Sequence, residues 1–387
     1  MLTNLWLLLC FVGTVNGFEV IWNIPSKQCT FNPTSFGLAA NSNNKFFGDK
    51  VVLLYETFGL FPFCNSEQEN DEQKPECVPA ADLSAHLEKA AADIEAAIPD
   101  PDFNGYGVID YEAWRPLYEM NWSSRRIYQR YSRKLVQEIT GITDPHELDH
   151  LARAEFDLAA KQFLVETIKL AKKLRPKAKW GFWEYPLCDY RAGYENLHCL
   201  DYYNDFNDQL SYIADHSDAI YPHIYYYEEE ASEGQLHHAY ARMKQTTDYI
   251  AKYNPNATVI PYIKIEYAPD ESGIPKFYSK PALCASIKYP MELGAEAVLV
   301  WGGSWKMKER CQGFEEYLNS TVKPFVGEVR RKAEKCRESY CNNNGRCATD
   351  VNIVPNECHL GHSMVNPHCI CYTGFEGKQC ENKMTHF

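Results

Sequence analysis

Short apolar segments rich in β-branched and aromatic residues recur seven times along the chain, and no other feature narrows the choice of fold as much. Most of them are separated by stretches with helical periodicity, of which residues 81–98, 145–174 and 234–253 are the clearest. Strands that alternate with helices predict β-α units and a parallel sheet. At 387 residues the repetition favours an α/β fold closed into a TIM-like β/α barrel, with a doubly wound open sheet as the alternative. The seven segments are FEVIWNI (18–24), VVLLYE (51–56), YGVIDYE (106–112), KWGFWEY (179–185), AIYPHIYYY (219–227), VIPYI (259–263) and EAVLVWGG (296–303).

Several classes of function lack their usual sequence signals. No glycine-rich phosphate loop of the G-x-G-x-x-G or Walker type follows any of the seven segments, which argues against nucleotide binding. A formal net charge of −13 argues against general nucleic-acid binding. The basic run SSRRIYQRYSRK (123–134) could form a local patch for an anionic ligand, or simply the solvated face of a helix. The histidines do not show the spacing of metal ligands, so we expect neither a metal nor an organic cofactor.

The two ends of the sequence bear on where the protein works. Residues 1–17 contain an apolar run from Leu5 to Val12 and end on a small residue, a pattern typical of a cleaved secretory signal. The C-terminal residues GKQCENKMTHF lack the apolar tail of a lipid-anchor signal. We therefore expect a secreted or lysosomal monomer without a membrane anchor.

Cysteine usage divides the mature chain into two parts. Of the 15 cysteines, all but Cys10 follow the predicted signal, and the remaining 14 are an even number that predicts a disulfide framework in a secreted chain. Seven of them fall between residues 336 and 380, where aliphatic residues are too sparse to build a core. We predict a barrel domain over residues 18–330 and a small disulfide-rich module over residues 331–387. N-x-S/T sequons predict glycosylation at Asn121, Asn256 and Asn319.

The segment GYGVIDYEAWRP (105–116) places two acids at the end of the third predicted strand. Residues i and i+2 of a strand share a face, so Asp110 and Glu112 project together. The C-terminal strand ends line the mouth of a β/α barrel, where polar side chains indicate catalysis. Because neighbouring carboxylates repel, one should keep a normal or low pKa and the other a raised pKa. Such a pair suits a glycosidase, which protonates a leaving oxygen and stabilises an oxocarbenium ion.

The same segment, extended to GYGVIDYEAWRPLYEMNW (105–122), resembles the signature of the hyaluronidase family of glycoside hydrolases. Four later blocks agree with the family in order, and the resemblance covers essentially the whole mature chain. LRPKAKWGFWEYPLCDY (174–190) is similar to the family's W-G-F-Y-x-x-P-x-C segment, AIYPHIYY (219–226) to its P-S-x-Y strand, VIPYIKIEY (259–267) to its P-Y strand, and VLVWGGSW (298–305) to its W-G-S segment.

This resemblance implies a distorted β/α barrel of about seven strands that cleaves β-1,4 bonds beside N-acetylhexosamines in glycosaminoglycans, with retention. It also implies that the nucleophile is the substrate's own 2-acetamido oxygen and not a carboxylate of the enzyme. Glu112 would be the general acid and then the base that activates water. Asp110 would hold the acetamido N–H and stabilise the positive intermediate. Tyr225 would orient the acetamido oxygen, and Trp301 would pack against the sugar or the acetamido methyl group.

The chain departs from the family pattern at Trp183, where W-G-F-Y has tyrosine. An indole cannot accept a hydrogen bond as a phenol does, so a contact to the sugar is lost or replaced, and hyaluronan and chondroitin both remain candidate substrates. Tyr185 is expected to share the face of Trp183 and to compensate in part. Arg242 would contact a substrate carboxylate or an active-site acid, with a surface ion pair as its alternative. Arg115 would pair with an acid of the barrel, in a structural or a catalytic role.

The resemblance further implies a disulfide pattern. In the barrel it pairs Cys29 with Cys311 and Cys188 with Cys199. The C-terminal part resembles an epidermal-growth-factor-like module through Cys371, Tyr372, Gly374, Phe375 and Cys380. That module's pattern pairs Cys336 with Cys347, Cys341 with Cys369 and Cys371 with Cys380. The sequence does not decide the pairing of Cys64, Cys77, Cys284 and Cys358. A local bridge between Cys64 and Cys77 across an acidic loop is plausible, which would leave Cys284 and Cys358 to link the barrel to the module.

Three functions follow from these patterns. The leading one is an endo-β-N-acetylhexosaminidase that acts on glycosaminoglycans. The second is a glycan-binding or adhesive protein on the same barrel, which Trp183 favours but the intact acid pair argues against. The third is a chitinase-like hydrolase, which would show a D-x-x-D-x-D-x-E run, whereas YGVIDYE has only the last two acids of that run.

Overall fold

A computed structural model of the chain describes residues 17–64, 78, 80–227, 231–267 and 274–384. Residues 1–16, which hold almost all of the predicted signal, lie outside these residues, as does Cys77. Within the described ranges no helix is long and apolar enough to cross a membrane.

Strands and helices alternate along the first part of the chain, as the apolar segments predict. The strands are β1 (Glu19–Asn23), β2 (Ala39–Ala40), β3 (Val51–Leu54), β4 (Tyr106–Ile109), β5 (Lys179–Phe182), β6 (Ala219–Ile220), β7 (His223–Ile224), β8 (Thr258–Val259), β9 (Tyr262–Ile263) and β10 (Ala297–Trp301). The helices are α1 (Leu83–Ala97), α2 (Arg126–Thr140), α3 (Pro145–Leu174), α4 (Tyr202–Gln209), α5 (Ser211–His216), α6 (Ser232–Tyr253), α7 (Lys280–Leu283), α8 (Tyr289–Glu292), α9 (Met307–Tyr317) and α10 (Lys323–Tyr340).

All of the ladders between strands β1 to β10 are parallel, and they run in the orders β3-β4-β5, β6-β8 and β7-β9-β10-β1-β2. A bridge between Trp183 and Tyr221 joins β5 to the next strand position. Pro222 separates β6 from β7 and Pro261 separates β8 from β9, because proline has no N–H to give to a ladder. Counting each interrupted pair as one strand position, and β2 as a short extension beside β1, gives seven, so the predicted distorted β/α barrel is confirmed.

Asn41 closes the barrel between β2 and β3, where no strand ladder forms. Its side chain is 1% exposed and acts as a substitute for backbone pairing. The amide oxygen accepts the N–H groups of Lys50 and Val51 at 2.8 and 2.9 Å, and the amide nitrogen donates to the carbonyls of Lys45 and Val51. A single buried side chain thereby satisfies backbone groups of two segments.

Two apolar layers surround the strands. One fills the barrel interior with alternate strand residues such as Val51, Leu53 and Val108. The other lies between the strands and the helices, where Phe156 and Ile168 of α3 are completely buried. The helix α3 begins at Pro145 after Asp144, whose carboxylate accepts the N–H groups of His146 and Glu147 and so caps the first turn.

The cysteine-rich part forms a separate small module with two antiparallel pairs, β11 (Gly345–Ala348) with β12 (His368–Cys371) and β13 (Phe375–Glu376) with β14 (Asn382–Lys383). The helix α10 runs through the predicted boundary at residues 330 and 331 and carries Cys336 into the module. Disulfides join Cys29 to Cys311, Cys188 to Cys199, Cys336 to Cys347, Cys341 to Cys369 and Cys371 to Cys380. These are the five pairs that the resemblance implies.

A sixth disulfide, between Cys284 and Cys358, ties the module to the barrel. Next to it, Arg346 donates to the carbonyl of Gly294 at 2.6 Å and the N–H of Thr349 donates to the carbonyl of Glu292 at 2.7 Å. Gly294 and Glu292 precede the first residue of β10, so the module docks at the amino end of the barrel. Cys64 is also disulfide-bonded.

One predicted glycosylation site needs correction. Asn121 is completely buried. Its amide donates to the carbonyls of Arg115 and Leu117 and accepts the N–H of Arg115, all at 2.9 Å. A glycan there is incompatible with this packing, because the side chain is part of the structure that fixes the segment after β4. Asn256 and Asn319 are exposed, and glycosylation at both remains a prediction.

Candidate active site

Polar and aromatic side chains from six strand positions meet at the carboxyl end of the barrel. Parallel strands end at the same side, so residues that follow them in sequence are brought together although they are far apart along the chain. They are Tyr55 after β3, Asp110 and Glu112 after β4, Trp183 and Glu184 after β5, Tyr225 after β7, Lys264 after β9, and Trp301 as the last residue of β10.

The acid pair occupies the end of β4. Asp110 is 5% exposed, its N–H donates to the carbonyl of Leu54 at 2.8 Å, and its Oδ1 has no hydrogen-bond partner among the described residues. Burial raises the pKa of Asp110 to about 8, and Glu112 is the nearby charge that adds most. Burial, and after it Glu184, raises the pKa of Glu112 as well. The expectation that one of the two acids keeps a normal pKa is therefore wrong, because the protein desolvates both and adds further carboxylates.

Glu184 is a site residue that the sequence reasoning missed. It is 7% exposed, and its backbone has a φ of +80°, a left-handed conformation that costs free energy for a residue other than glycine. Its Oε2 lies 3.1 Å from Nη2 of Arg115. Burial alone would lower the pKa of Arg115, but Glu184 and weaker contributions from neighbouring groups such as Glu112 together outweigh burial and raise that pKa. Arg115 thus pairs with an acid of the barrel mouth, and the family pattern, which leaves position 184 unspecified, gave no signal for this partner.

Aromatic rings form one side of the mouth, in a row that we call the aromatic wall: Trp183, His223, Tyr225 and Trp301. Tyr225 stacks on Trp301 with a centroid distance of 5.9 Å and an interplanar angle of 27°. The indole N–H of Trp301 donates to the hydroxyl of Tyr55 at 2.7 Å, which fixes the plane of the indole. The charge of Asp110 contributes to the raised pKa of Tyr225, after burial and Tyr262, so the wall and the acids lie close together.

Lys264 is a second residue without a sequence signal. Its ammonium lies 4.9 Å from the ring centroid of Tyr225 and 5.0 Å from that of Trp301, within the range of cation–π attraction. Burial lowers the pKa of Lys264. A cation at this place would complement an anionic substrate in a molecule whose overall charge is negative.

Two predicted contacts differ in the structure. Tyr185 does not share the face of Trp183, because β5 ends at Phe182 and the left-handed Glu184 breaks the alternation; Tyr185 packs among the residues between barrel and helices instead. Arg242 is 2% exposed, so its alternative reading as a surface ion pair is wrong. One of its nitrogens donates to the carbonyl of Asp189 at 3.3 Å, and Glu184 is the strongest of the charges that favour its protonated form.

In the part of the chain that the structure describes, no group of three or more His, Cys, Asp or Glu side chains could hold a metal ion.

Comparison with known proteins agrees with this geometry. A family model described as hyaluronidase matches residues 12–364. The chain belongs to the hyaluronidase family. The hyaluronidase family resemblance found in the sequence is thereby confirmed.

Relatives within the hyaluronidase family cover nearly the whole chain. A chondroitin hydrolase of Caenorhabditis elegans is 29% identical over 97% of this chain and 86% of its own length. A hyaluronidase of Loxosceles intermedia is 30% identical over 95% of each chain. The crystal structure of bee venom hyaluronidase in complex with a hyaluronic acid tetramer is 26% identical, with a TM-score of 0.70 over 80% of this chain and 98% of that one.

Proposed function

We propose that this protein is an endo-β-N-acetylhexosaminidase that hydrolyses β-1,4 bonds of hyaluronan, chondroitin or both, with retention and with the substrate's acetamido group as nucleophile. The observation that carries the proposal is the acid pair of buried Asp110 and partly buried Glu112 beside the rings of Tyr225 and Trp301. Relatives named hyaluronidase and chondroitin hydrolase support this substrate class. We propose that the protein acts outside the cell or in the lysosome as a monomer, with an epidermal-growth-factor-like module at its C-terminus.

The first step breaks the glycosidic bond. Glu112 gives its proton to the leaving oxygen while the acetamido oxygen attacks the anomeric carbon, which forms an oxazolinium ion. Glu112 suits this role because its raised pKa keeps it protonated to higher pH than a free glutamate. Tyr225 hydrogen-bonds the acetamido oxygen and holds it in line with the anomeric carbon.

Asp110 stabilises the positive charge of that ion. In the ligand-free protein its pKa is raised to about 8, so it binds a proton near neutral pH. An acetamido N–H that donates to Asp110 favours its carboxylate form, because a hydrogen bond to the charged form lowers a pKa. On substrate binding Asp110 therefore releases its proton to solvent, while Glu112 keeps the proton that the first step needs.

The second step regenerates the enzyme. Glu112, now a carboxylate, takes a proton from water, and the oxygen of that water attacks the anomeric carbon on the face left by the leaving group. The acetamido oxygen is released and the anomeric configuration of the substrate is retained. Trp301 packs against the sugar throughout, with its plane fixed by Tyr55.

Replacement of the acid tests the proposal. Glu112→Gln keeps the side-chain shape but cannot deliver a proton, so turnover of hyaluronan and of unsulfated chondroitin should fall by about 10²- to 10⁴-fold with the fold intact. Oligosaccharide release between pH 3.5 and 7 and thermal unfolding measure the two effects. Glu119→Gln is the matched control, since Glu119 forms a surface ion pair with Arg153 at 2.7 Å, and it should keep full activity.

Two results would contradict the proposal. One is near full activity of Glu112→Gln. The other is binding of either polymer by the native protein without cleavage, which would favour a glycan-binding protein on this barrel.

A further inference from the structure

Two departures from the family pattern lie in direct contact. Trp183 stands where W-G-F-Y has tyrosine, and His223 stands where P-S-x-Y has serine. The two rings stack with a centroid distance of 5.3 Å and an interplanar angle of 21°. Backbone pairing fixes this contact, because Trp183 bridges Tyr221 at the junction between β5 and the strand position that carries His223.

The burial of His223 is consistent with a residue that positions a neighbouring side chain and not with a catalytic residue. It is 1% exposed, and among the residues that the structure describes neither of its ring nitrogens has a hydrogen-bond partner. Burial lowers its pKa well below the usual value, so the imidazole is neutral. An unpaired buried polar group is unfavourable. Contacts with two rings offset this cost: His223 stacks on Trp183, and it makes a tilted contact with Tyr225 at a centroid distance of 4.9 Å.

The stack orients Trp183 within the aromatic wall. Trp183 lies at 29° to Tyr225, and Tyr225 at 27° to Trp301, so Tyr225 is stacked on both indoles. Trp183 itself is half-buried and directly follows β5, at the carboxyl end of the barrel where the mouth lies. A serine at position 223 has no ring, so the indole of Trp183 would lose the imidazole that stacks on it.

Sugar chemistry connects this surface to a substrate. In N-acetylgalactosamine the axial 4-hydroxyl leaves the C–H bonds of carbons 3, 4 and 5 on one face, which forms an apolar patch that packs on an aromatic face. In N-acetylglucosamine the equatorial 4-hydroxyl breaks up that patch, and a phenol that hydrogen-bonds a hydroxyl serves it better. Chondroitin contains the first sugar and hyaluronan the second.

We propose that Trp183 and His223 form a specificity-determining pair, in which the imidazole is a positioning residue that holds the indole face against the N-acetylhexosamine and so favours chondroitin over hyaluronan. This inference rests on the proposed function, because it takes the aromatic wall to border the sugar subsite. Trp183 contacts the sugar, and His223 acts only through Trp183.

A double-mutant cycle tests the pair. The native protein, Trp183→Tyr, His223→Ser and the double variant are compared by kcat/KM on unsulfated chondroitin and on hyaluronan of matched length. The native protein should prefer chondroitin. Each single variant should lower the ratio of the two kcat/KM values by about 10-fold, mostly through the KM for chondroitin. The double variant should lower it no further, because His223 acts only through the indole that Trp183→Tyr has already removed.

Two additional variants separate positioning from mere stability. His223→Phe keeps a flat ring and removes the unpaired nitrogens, so it should retain the chondroitin preference and unfold at the native temperature or above. His150→Ser changes an exposed histidine of α3 and should leave the ratio unchanged.

The possible outcomes distinguish failure of the proposed pair from failure of the proposed function on which it rests. Cleavage of neither polymer by the native protein would overturn the proposed function. Three other results would overturn the proposed pair but leave the proposed function in place. The first is a preference of the native protein for hyaluronan, and the second is an equal loss of kcat/KM on both substrates in His223→Ser. The third is a double variant in which the effects of the two single variants on the kcat/KM ratio multiply.

Discussion

Glu184 influences the acid pair through its charge. Burial raises the pKa of Glu112, and Glu184 is the largest of the charges that raise it further. Arg115, which pairs with Glu184 at 3.1 Å, lowers it. Together with burial, the ion pair thus helps to determine the pH up to which the general acid stays protonated, although neither member transfers the proton.

Glu184→Gln is expected to move the pH profile. Without the negative charge, and with Arg115 unpaired, the pKa of Glu112 falls, so Glu112 loses its proton at lower pH. The alkaline limb of the kcat/KM profile should shift to lower pH by about one unit. Glu195→Gln, which breaks an exposed ion pair with Arg191, should leave the profile in place. An unmoved alkaline limb in Glu184→Gln would show that Glu112 does not set it.

Strand ends made several site residues predictable. Asp110, Glu112, Tyr225 and Trp301 follow or end strands whose apolar pattern is clear, and the structure brings all four together. Glu184 was not predictable. Its side chain reaches the mouth because its backbone has a left-handed conformation, and no sequence pattern indicates that conformation. For the same reason the expected placement of Tyr185 was wrong, since it assumed that the alternation of β5 continued.

At the scale of elements, the barrel depends on a joint that is not a strand ladder. Asn41 connects β2 to β3 through its side-chain amide. The apolar segments predicted the strands themselves but not this joint, because a single buried asparagine in a loop looks like any turn residue. Pro222 and Pro261 interrupt two strand positions. The sequence did not predict these interruptions either, because both prolines lie within continuous apolar runs.

Asn41→Ala is expected to destabilise the barrel strongly. The N–H of Val51 is buried and would lose its acceptor, and that of Lys50 would lose its acceptor too. The free energy of unfolding should fall by about 3 kcal/mol. Urea unfolding followed by tryptophan fluorescence measures this. Asn43→Ala removes two exposed hydrogen bonds in the same loop and should cost less than about 1 kcal/mol. Equal effects of the two changes would rule out a special role for Asn41.

At the scale of the whole molecule, the two ends of the barrel have different tasks. Asp110 and Glu112 lie at the carboxyl ends of the strands, whereas Arg346 and Thr349 dock the module near the amino end of β10. The sequence predicted a barrel and a module, and the predicted boundary at residues 330 and 331 lies within α10 and stays a prediction. Their mutual placement depends on a disulfide that the sequence left open.

Removal of that disulfide should separate stability from activity. In Cys284→Ala/Cys358→Ala the module keeps its own three disulfides but loses its covalent tie to the barrel. A crosslink over 74 residues restricts the unfolded chain, so its loss should lower the free energy of unfolding by roughly 2–4 kcal/mol. Because the docking site is remote from the acid pair, kcat/KM on either polymer should stay within about twofold of the native value.

The matched control removes a disulfide at the other end. Cys188→Ala/Cys199→Ala opens a bridge of 11 residues beside Asp189, whose carbonyl holds Arg242. A shorter crosslink restricts the unfolded chain less, so this variant should lose less stability. It should nevertheless lose more activity, since the segment that follows Glu184 becomes free to move. If the Cys284 variant lost activity while its unfolding temperature stayed native, the module would have to act on the mouth directly, and the division of tasks between the two ends of the barrel would be wrong.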